Sequence, residues 1–108
     1  MSKTETLTVE GLSGTKYKFN IYPIGTNFKD VGGVYTYTKE NNDDTHTLLY
    51  VGRTESFQDR LGPDHHKYYC VIRNGGTHIC THRNDDEDVQ KRIERDILQK
   101  HSTPCNDK

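Results

Sequence analysis

The chain has 108 residues, of which 30% are hydrophobic, and its formal net charge at pH 7 is −1. This length provides one small domain with one core. No apolar run approaches the ~20 residues that a membrane span needs, which argues against a membrane protein. The N-terminal stretch MSKTETLTVEG lacks the apolar segment of a secretory signal, so we expect a cytoplasmic protein. The balance of 15 Lys and Arg against 16 Asp and Glu gives no overall attraction to nucleic acid.

The N-terminal part of the chain predicts a β-hairpin. Residues 4–10 alternate polar and apolar side chains, as a half-exposed strand does, and residues 16–22 alternate again. Residues 11–15 between them include two glycines and a serine, which is typical of a turn. We expect the hairpin over residues 4–22 to cover one edge or one face of a central sheet.

A second hairpin follows in the middle of the chain. Residues 33–38 and 47–51 are rich in β-branched and aromatic side chains, and residues 39–44 between them, KENNDD, have the polar composition of a turn. Gly52 ends the second strand, and Ser56 can then cap a short helix. Three residues at helical spacing follow this cap: Phe57, Arg60 and Leu61.

Two more helices and one strand complete the predicted elements. Asp64 can cap a helix from residue 65 to about residue 74, residues 77–82 read as a short strand, and a third helix begins at residues 84–86. The buried stripe of that third helix is expected to contain Val89, Ile93, Ile97 and Leu98, with Glu94 beside it. The predicted fold is α+β: a small central mixed or antiparallel sheet flanked by about three helices, with an added N-terminal β-hairpin.

The three cysteines, Cys70, Cys80 and Cys105, form no C-x-x-C pair and are expected to be free thiols. His78, Cys80 and His82 alternate on one predicted strand, so their side chains share a face. This arrangement allows a zinc interpretation. We favour a structural role for the three residues, because no fourth ligand stands at metal-site spacing.

Charge is unevenly distributed along the chain. Residues 53–83 contain five Lys and Arg against three Asp and Glu, whereas residues 43–44 and 85–88 are acidic. A local excess of positive charge therefore falls on the segment after the second strand of the central hairpin.

Two tripeptides in the central hairpin carry a resemblance to a known family. They are Gly33-Val34-Tyr35 and Tyr50-Val51-Gly52, and Arg53-Thr54 continues the second one. Arg60, Glu94 within RIERDIL and Asn106 within TPCND follow in order. On these elements residues 33–107 resemble the GIY-YIG nuclease family, with valine in place of isoleucine in both tripeptides. The resemblance implies one GIY-YIG-like domain over residues 1–108, with a nuclease-like core at 33–107 and the hairpin at 4–22 as an extension.

The resemblance implies a DNA endonuclease that hydrolyses phosphodiester bonds with one divalent cation, Mg²⁺ or Mn²⁺. Glu94 is then the metal ligand, since a carboxylate suits a hard cation and Mg²⁺ takes its remaining ligands from water and substrate phosphate. Arg60 is expected to clamp the scissile phosphate, because the guanidinium fork matches two phosphate oxygens.

Tyr35 and Tyr50 are the expected groups for activating and placing water. We favour Tyr35 as the general base and Tyr50 as the residue that positions water or phosphate, with the reverse assignment open. A free tyrosine has a pKa of about 10, so a phenolate needs positive charge nearby, from the metal, Arg53 or Arg60. Tyr37 is expected to lie on the opposite face of the sheet as a core residue.

The other residues expected to contact substrate follow the second signature or lie at the C-terminus. They are Gly52, Arg53, Thr54, His65, His66 and Asn106. One of the two histidines is expected to touch substrate, and the sequence does not decide which. Thr54 can also form local hydrogen bonds, and Asn106 is expected to fix the C-terminal segment over the third helix or to orient Glu94.

The expected partner is DNA, single- or double-stranded, and a separate targeting protein is a second expected partner because no DNA-targeting domain follows the core. The main alternative is a catalytically weak or inactive nucleic-acid-binding or regulatory module with the same fold. An RNA-processing or structural role is a third interpretation. Mg²⁺-dependent cleavage distinguishes the first interpretation from the second.

Overall fold

A computed structural model describes residues 5–106, which form a five-stranded antiparallel sheet and three helices. The elements are β1 (Glu5–Glu10), β2 (Lys16–Pro23), β3 (Gly33–Glu40), β4 (His46–Thr54), α1 (Phe57–Arg60), α2 (Tyr68–Arg73), β5 (His78–Arg83) and α3 (Glu87–Lys100). This confirms the predicted α+β class in its antiparallel form. Residues 4 and 107, which bounded the predicted hairpin and core, lie outside the described residues. None of the helices in the described part is long and apolar enough to cross a bilayer.

The strand order is β1-β2-β5-β3-β4, so the N-terminal hairpin extends the sheet at one edge. β2 pairs antiparallel with β5, with Ile21 opposite Cys80. Of the two expected positions for the hairpin, an edge or a face, the structure shows the edge. The central hairpin lies at the other end, and β4 is the second edge strand of the sheet.

The two faces of the sheet carry two separate apolar clusters. On one face, Tyr35 and its neighbours pack against Phe57 and Leu61 at α1 and Val71 of α2. On the other face, Val34, Val51 and Cys80 are among the residues that pack against α3, which contributes Ile93 and Ile97. The predicted stripe of α3 is confirmed, and Glu94 follows directly after one of its buried residues.

Tyr37 lies on the same face as Tyr35, and the expectation that it lies opposite was wrong. Residues two apart on a strand share a face, and the two rings are 6.0 Å apart between centroids. Tyr37 is 2% exposed and belongs to the apolar cluster, so its predicted role in the core holds.

Among the helices, α2 differs most from its predicted boundaries, because it begins at Tyr68 and not at residue 65. The segment before it forms turns, in which the His65 N–H donates to the Gly62 carbonyl and the Lys67 N–H donates to the His65 ring. A side chain that accepts a backbone N–H in this way competes with helix formation. The other two helices begin close to their predicted caps. Ser56 accepts from the Asp59 N–H, and Asp86 accepts from the N–H groups of Asp88 and Val89.

The expectation of three free thiols was wrong, because Cys70 and Cys105 form a disulfide with a Cα–Cα distance of 5.9 Å. Their separation of 35 residues carries no sequence signature for pairing. They meet because the C-terminal segment returns along β4, where the Cys105 N–H donates to the Leu49 carbonyl at 2.9 Å. Cys80 is a free, buried cysteine.

Candidate active site

An open groove of about 670 Å³ runs beside the edge strand β4, and we call it the β4 groove. Because β4 is the last strand of the sheet, helices from both faces can reach it. The lining residues come from β4, α1 and α3: Tyr50, Arg53, Arg60, Lys91, Glu94, Arg95, Leu98 and Gln99. Four of the residues predicted for the site, Tyr50, Arg53, Arg60 and Glu94, are thus brought together from three separate parts of the chain.

The two signature tyrosines occupy different depths. Tyr50 is 9% exposed and lines the groove, whereas Tyr35 is fully buried beneath it, with 6.1 Å between the ring centroids. Gly52 allows this packing. A Cβ atom at Gly52 would lie 2.8 Å from the Tyr35 hydroxyl oxygen and 2.9 Å from a ring carbon of Tyr50. The structure therefore gives Gly52 the role of making room for the tyrosines.

Tyr35 is hydrogen-bonded to His65, with 2.6 Å between Oη and Nε2. Nδ1 of the same ring accepts the Lys67 backbone N–H at 3.0 Å. A neutral imidazole carries one N–H, so the proton must be on Nε2, which donates to the Tyr35 oxygen. The hydroxyl proton of Tyr35 is then available to another acceptor, and a phenolate at this position would already have one donor.

Burial dominates the protonation behaviour of these groups. It raises the pKa of Tyr35 well above its ordinary value and raises that of Tyr50, where the charge of Glu94 adds to the effect. Arg60 acts in the opposite direction on both tyrosines, because a positive charge favours the phenolate. Burial, with the nearby positive charge of His66 and Arg60, lowers the pKa of His65 to about 4, so the ring is neutral near pH 7.

Glu94 is half-buried in the groove wall. Burial raises the pKa of its carboxyl group, and the positive charge of Arg53 partly opposes this change. A carboxylate in this environment is stabilised by any cation that enters the groove. Glu94 therefore combines accessibility from the groove with an incompletely compensated negative charge.

Arg53 is held in place by α3. Its Nε donates to the Gln90 side chain at 3.0 Å, and its guanidinium lies 3.6 Å from Glu87 and 3.9 Å from Glu55. Gln90 is 1% exposed, so this contact ties the end of β4 to a buried position of the helix. Arg53 is consequently a positioned charge at one end of the β4 groove.

Two other predicted residues, Thr54 and His66, have clear positions. The Thr54 hydroxyl forms local hydrogen bonds with the backbone of Ser56, accepting from its N–H and donating to its carbonyl, both at 3.1 Å. His66 is exposed, stacks on His65 at 4.6 Å and meets the Tyr50 ring edge-on at 5.8 Å. Of the two histidines, His66 is therefore the one that solvent and a ligand can reach.

Asn106 fixes the C-terminal segment to β4, and not over α3. Its Oδ1 accepts the Val51 N–H at 2.7 Å, its Nδ2 donates to the Val51 carbonyl at 2.9 Å, and the Thr103 hydroxyl donates to Oδ1 at 2.6 Å. The side chain thus satisfies backbone groups of the edge strand next to Tyr50. The expected orientation of Glu94 and the expected substrate contact by Asn106 stay predictions.

Sequence reasoning missed Lys91 and Arg95, which also line the β4 groove. A signal was present, because on a helix these two residues are neighbours at i and i+4, and both lie within one turn of Glu94. Gln90 was missed as well, and its buried contact with Arg53 had no sequence signature.

The strand with His78, Cys80 and His82 has contacts that favour the structural interpretation. His82 Nδ1 is 2.8 Å from the Lys18 carbonyl oxygen, Cys80 is buried, and the His78 ring packs against His46 at 5.3 Å. Within residues 5–106 no group of three or more His, Cys, Asp or Glu side chains is arranged to hold a metal ion. A metal at Glu94 would accordingly depend on water and substrate for its other ligands.

Comparisons of the chain with protein-family models, with curated proteins and with solved structures find no match. The resemblance to the GIY-YIG nucleases therefore depends on the sequence elements quoted above alone.

Proposed function

We propose that the chain is a metal-dependent DNA endonuclease that hydrolyses phosphodiester bonds in the β4 groove. The observation that carries this proposal is the convergence of Tyr50, Arg60 and Glu94 on one groove from β4, α1 and α3. Hydrolysis of a phosphodiester needs a group that handles the proton of water, a cation that binds the phosphate and an anchor for a divalent metal. These three side chains supply one of each.

The charge of the groove weakens the objection that the net charge of −1 raises against nucleic-acid binding. Four of its eight lining residues are cationic, namely Arg53, Arg60, Lys91 and Arg95, and Glu94 is the one carboxylate among them. A phosphate backbone is attracted by local potential, so a positive groove can bind it on a chain without positive net charge.

Glu94 fits the requirements of a hard divalent cation. Mg²⁺ is commonly bound by one or two carboxylates, with waters and substrate phosphate completing its shell. The raised pKa of Glu94, caused by burial, means that its charged form lacks full compensation from the protein. A divalent cation there would supply positive charge that polarises the phosphate and favours the phenolate of Tyr50.

We assign the water-facing role to Tyr50 and a supporting role to Tyr35, the reverse of the order that the sequence favoured. Tyr50 lines the groove, whereas Tyr35 is fully buried. Tyr35 and His65 form a hydrogen-bonded pair against which the Tyr50 ring packs, with 5.1 Å between the centroids of Tyr50 and His65. Arg60, exposed at the end of α1, is the phosphate clamp.

The test is cleavage of single- and double-stranded DNA with Mg²⁺ and with Mn²⁺, comparing wild type, Glu94→Gln and Asp88→Asn. Asp88 is an exposed carboxylate on the same helix and does not line the groove. We expect the wild type and Asp88→Asn to cut, Glu94→Gln to cut about 10²–10³-fold more slowly, and a chelator to stop cleavage. Equal cutting by all three proteins would contradict the assignment of Glu94.

A second candidate is a nucleic-acid-binding or regulatory module that does not cleave. It is favoured by the burial of both tyrosines, which raises their pKa and disfavours a phenolate. Binding of DNA by folded wild type without cleavage in Mg²⁺, Mn²⁺, Ca²⁺ or Zn²⁺ would select this candidate.

A further inference from the structure

We propose that Lys91 and Arg95 on α3 bind the phosphate next to the scissile one, so that one nucleic-acid strand crosses the β4 groove from α1 to α3. This inference depends on the proposed function for the identity of the scissile phosphate. Both residues are exposed, line the groove and flank Glu94 on its own helix. Four residues along a helix correspond to about 6 Å, so the two cations form a short row along one strand of backbone.

The ion pairs of the groove show which cations are available to a ligand. Arg53 lies near Glu87 and Glu55, and Lys91 pairs with Glu87 at 3.3 Å, but this Lys91–Glu87 pair is exposed to solvent and therefore weak enough for a phosphate to replace the carboxylate. In the part of the chain that the structure describes, neither Arg60 nor Arg95 has a carboxylate within ion-pair distance. The two arginines without an ion pair therefore come from α1 and α3, on opposite walls of the groove.

This arrangement separates two kinds of phosphate contact. Arg60 acts near the two tyrosines, as its influence on the pKa of Tyr35 and Tyr50 shows. Arg95 is on the outer ridge of α3, where it also lines the neighbouring groove that contains Ser13 and Asp96. A substrate with one phosphate can use Arg60 alone, whereas a longer strand reaches Lys91 and Arg95.

The test compares an oligonucleotide with bis(4-nitrophenyl) phosphate, which contains a single phosphodiester. The variants are Lys91→Gln and Arg95→Gln, and Arg92→Gln is the matched control because Arg92 is exposed on the same helix but lines only the neighbouring groove. We expect Lys91→Gln and Arg95→Gln to raise KM for the oligonucleotide, to leave kcat unchanged and to leave hydrolysis of the small diester unchanged. Arg92→Gln should match wild type on both substrates.

Salt dependence gives a second readout that does not require cleavage. Binding of a fluorescent oligonucleotide without divalent metal is measured from 50 to 200 mM NaCl, and the slope of log K against log[NaCl] should become shallower by about 0.7–0.9 for each phosphate contact removed. We expect this change for Lys91→Gln and for Arg95→Gln but not for Arg92→Gln.

Failure of this inference and failure of the endonuclease proposal would give different results. If wild type cleaves DNA but all three variants retain its KM and salt slope, the inference is wrong and the endonuclease proposal stands. If wild type cleaves nothing but the slope changes at residues 91 and 95 alone, the strand path stands and the endonuclease proposal fails. Equal loss of activity on both substrates would also contradict the inference, because it would place these residues at the scissile phosphate.

Discussion

Two carboxylates only two residues apart on α3, Glu94 and Asp96, are in opposite situations. Asp96 accepts hydrogen bonds from the Ser13 N–H at 2.9 Å, the Ser13 hydroxyl at 2.7 Å and the Tyr17 hydroxyl at 2.6 Å. The Tyr17 bond is the largest of the causes that lower its pKa. For Glu94, burial raises the pKa and Arg53 opposes it only in part. One carboxylate joins α3 to the N-terminal hairpin, and the other has a charge that the protein compensates only in part. Carboxylates with perturbed pKa values are concentrated at functional sites.

The largest expected effect is a difference in cleavage activity between substitutions of the two carboxylates. Glu94→Gln should lower metal-dependent cleavage by about 10²–10³-fold, because it removes the charge that anchors the cation while keeping the side-chain shape. Asp96→Asn should retain cleavage when the protein is folded. Initial rates with Mg²⁺, at a temperature where circular dichroism shows both variants folded, check this. Similar losses in both variants would show that the helix as a whole, and not Glu94, matters.

Acid should lower the stability that the Tyr35–His65 pair gives to the fold. The pKa of His65 is lowered to about 4 by burial, against about 6.5 for an unfolded histidine, so the unfolded chain takes up the proton first as the pH falls. The stability that the neutral His65 ring contributes is therefore fully present above pH 6.5 and is lost as the pH falls from 6.5 to 4. The loss amounts to up to about 3 kcal/mol of unfolding free energy. Protonation must occur on Nδ1, which already accepts the Lys67 N–H.

Urea unfolding of wild type and His65→Gln across this pH range tests the assignment. The difference in unfolding free energy between the two proteins should shrink as the pH falls from 6.5 to 4. A difference that stays constant would mean that His65 does not resist protonation in the folded state.

Two glycine substitutions test the packing of the signature tyrosines and of the Asp96 carboxylate. Gly52→Ala should destabilise the fold by about 1–3 kcal/mol and also reduce cleavage, because the new methyl group would press on Tyr35 and Tyr50. Gly11→Ala would press on the Asp96 carboxylate instead, so it should affect stability and not cleavage. Thermal unfolding together with cleavage rates measures both; a loss of cleavage in Gly11→Ala at a temperature where it is folded would contradict this division.

The smallest expected effect concerns Asp96 itself. Asp96→Asn keeps the shape of the side chain but weakens the hydrogen bonds from Ser13 and Tyr17, so the melting temperature should fall by a few degrees. The lowered pKa of Asp96 predicts that its contribution is present at neutral pH and fades in acid as the carboxylate is protonated. Wild type and variant should therefore approach the same melting temperature at low pH.

Local patterns in the sequence were sufficient for most of the elements. The alternation of polar and apolar residues predicted the strands, and the spacing of Val89, Ile93 and Ile97 predicted α3. Both patterns arise because an element that buries one face repeats its apolar residues with the period of its own geometry. The same period should have placed Tyr35 and Tyr37 together, and the opposite-face prediction for Tyr37 ignored it. The start of α2 was predicted wrongly because a His65 ring nitrogen accepts a hydrogen bond from the Lys67 backbone N–H. Helix propensities do not indicate such a side-chain contact.

The candidate site was predictable only where it matched a motif. Tyr50, Arg53, Arg60 and Glu94 were identified in advance and line the groove. The different depths of Tyr35 and Tyr50 depend on how α1 and α2 cover one face of the sheet, which is a property of the whole fold. The Cys70–Cys105 pair likewise depends on the path of the C-terminal segment in space.

That segment also occupies backbone groups at the exposed edge of the sheet. An edge strand with unpaired backbone groups is a template for a strand from another molecule. On β4, the Leu49 carbonyl is occupied by the Cys105 N–H, and both backbone groups of Val51 are occupied by the Asn106 side chain. The disulfide ties this cover to α2. Reduction would remove this covalent tie to α2 and leave the segment held at the edge by its hydrogen bonds and packing.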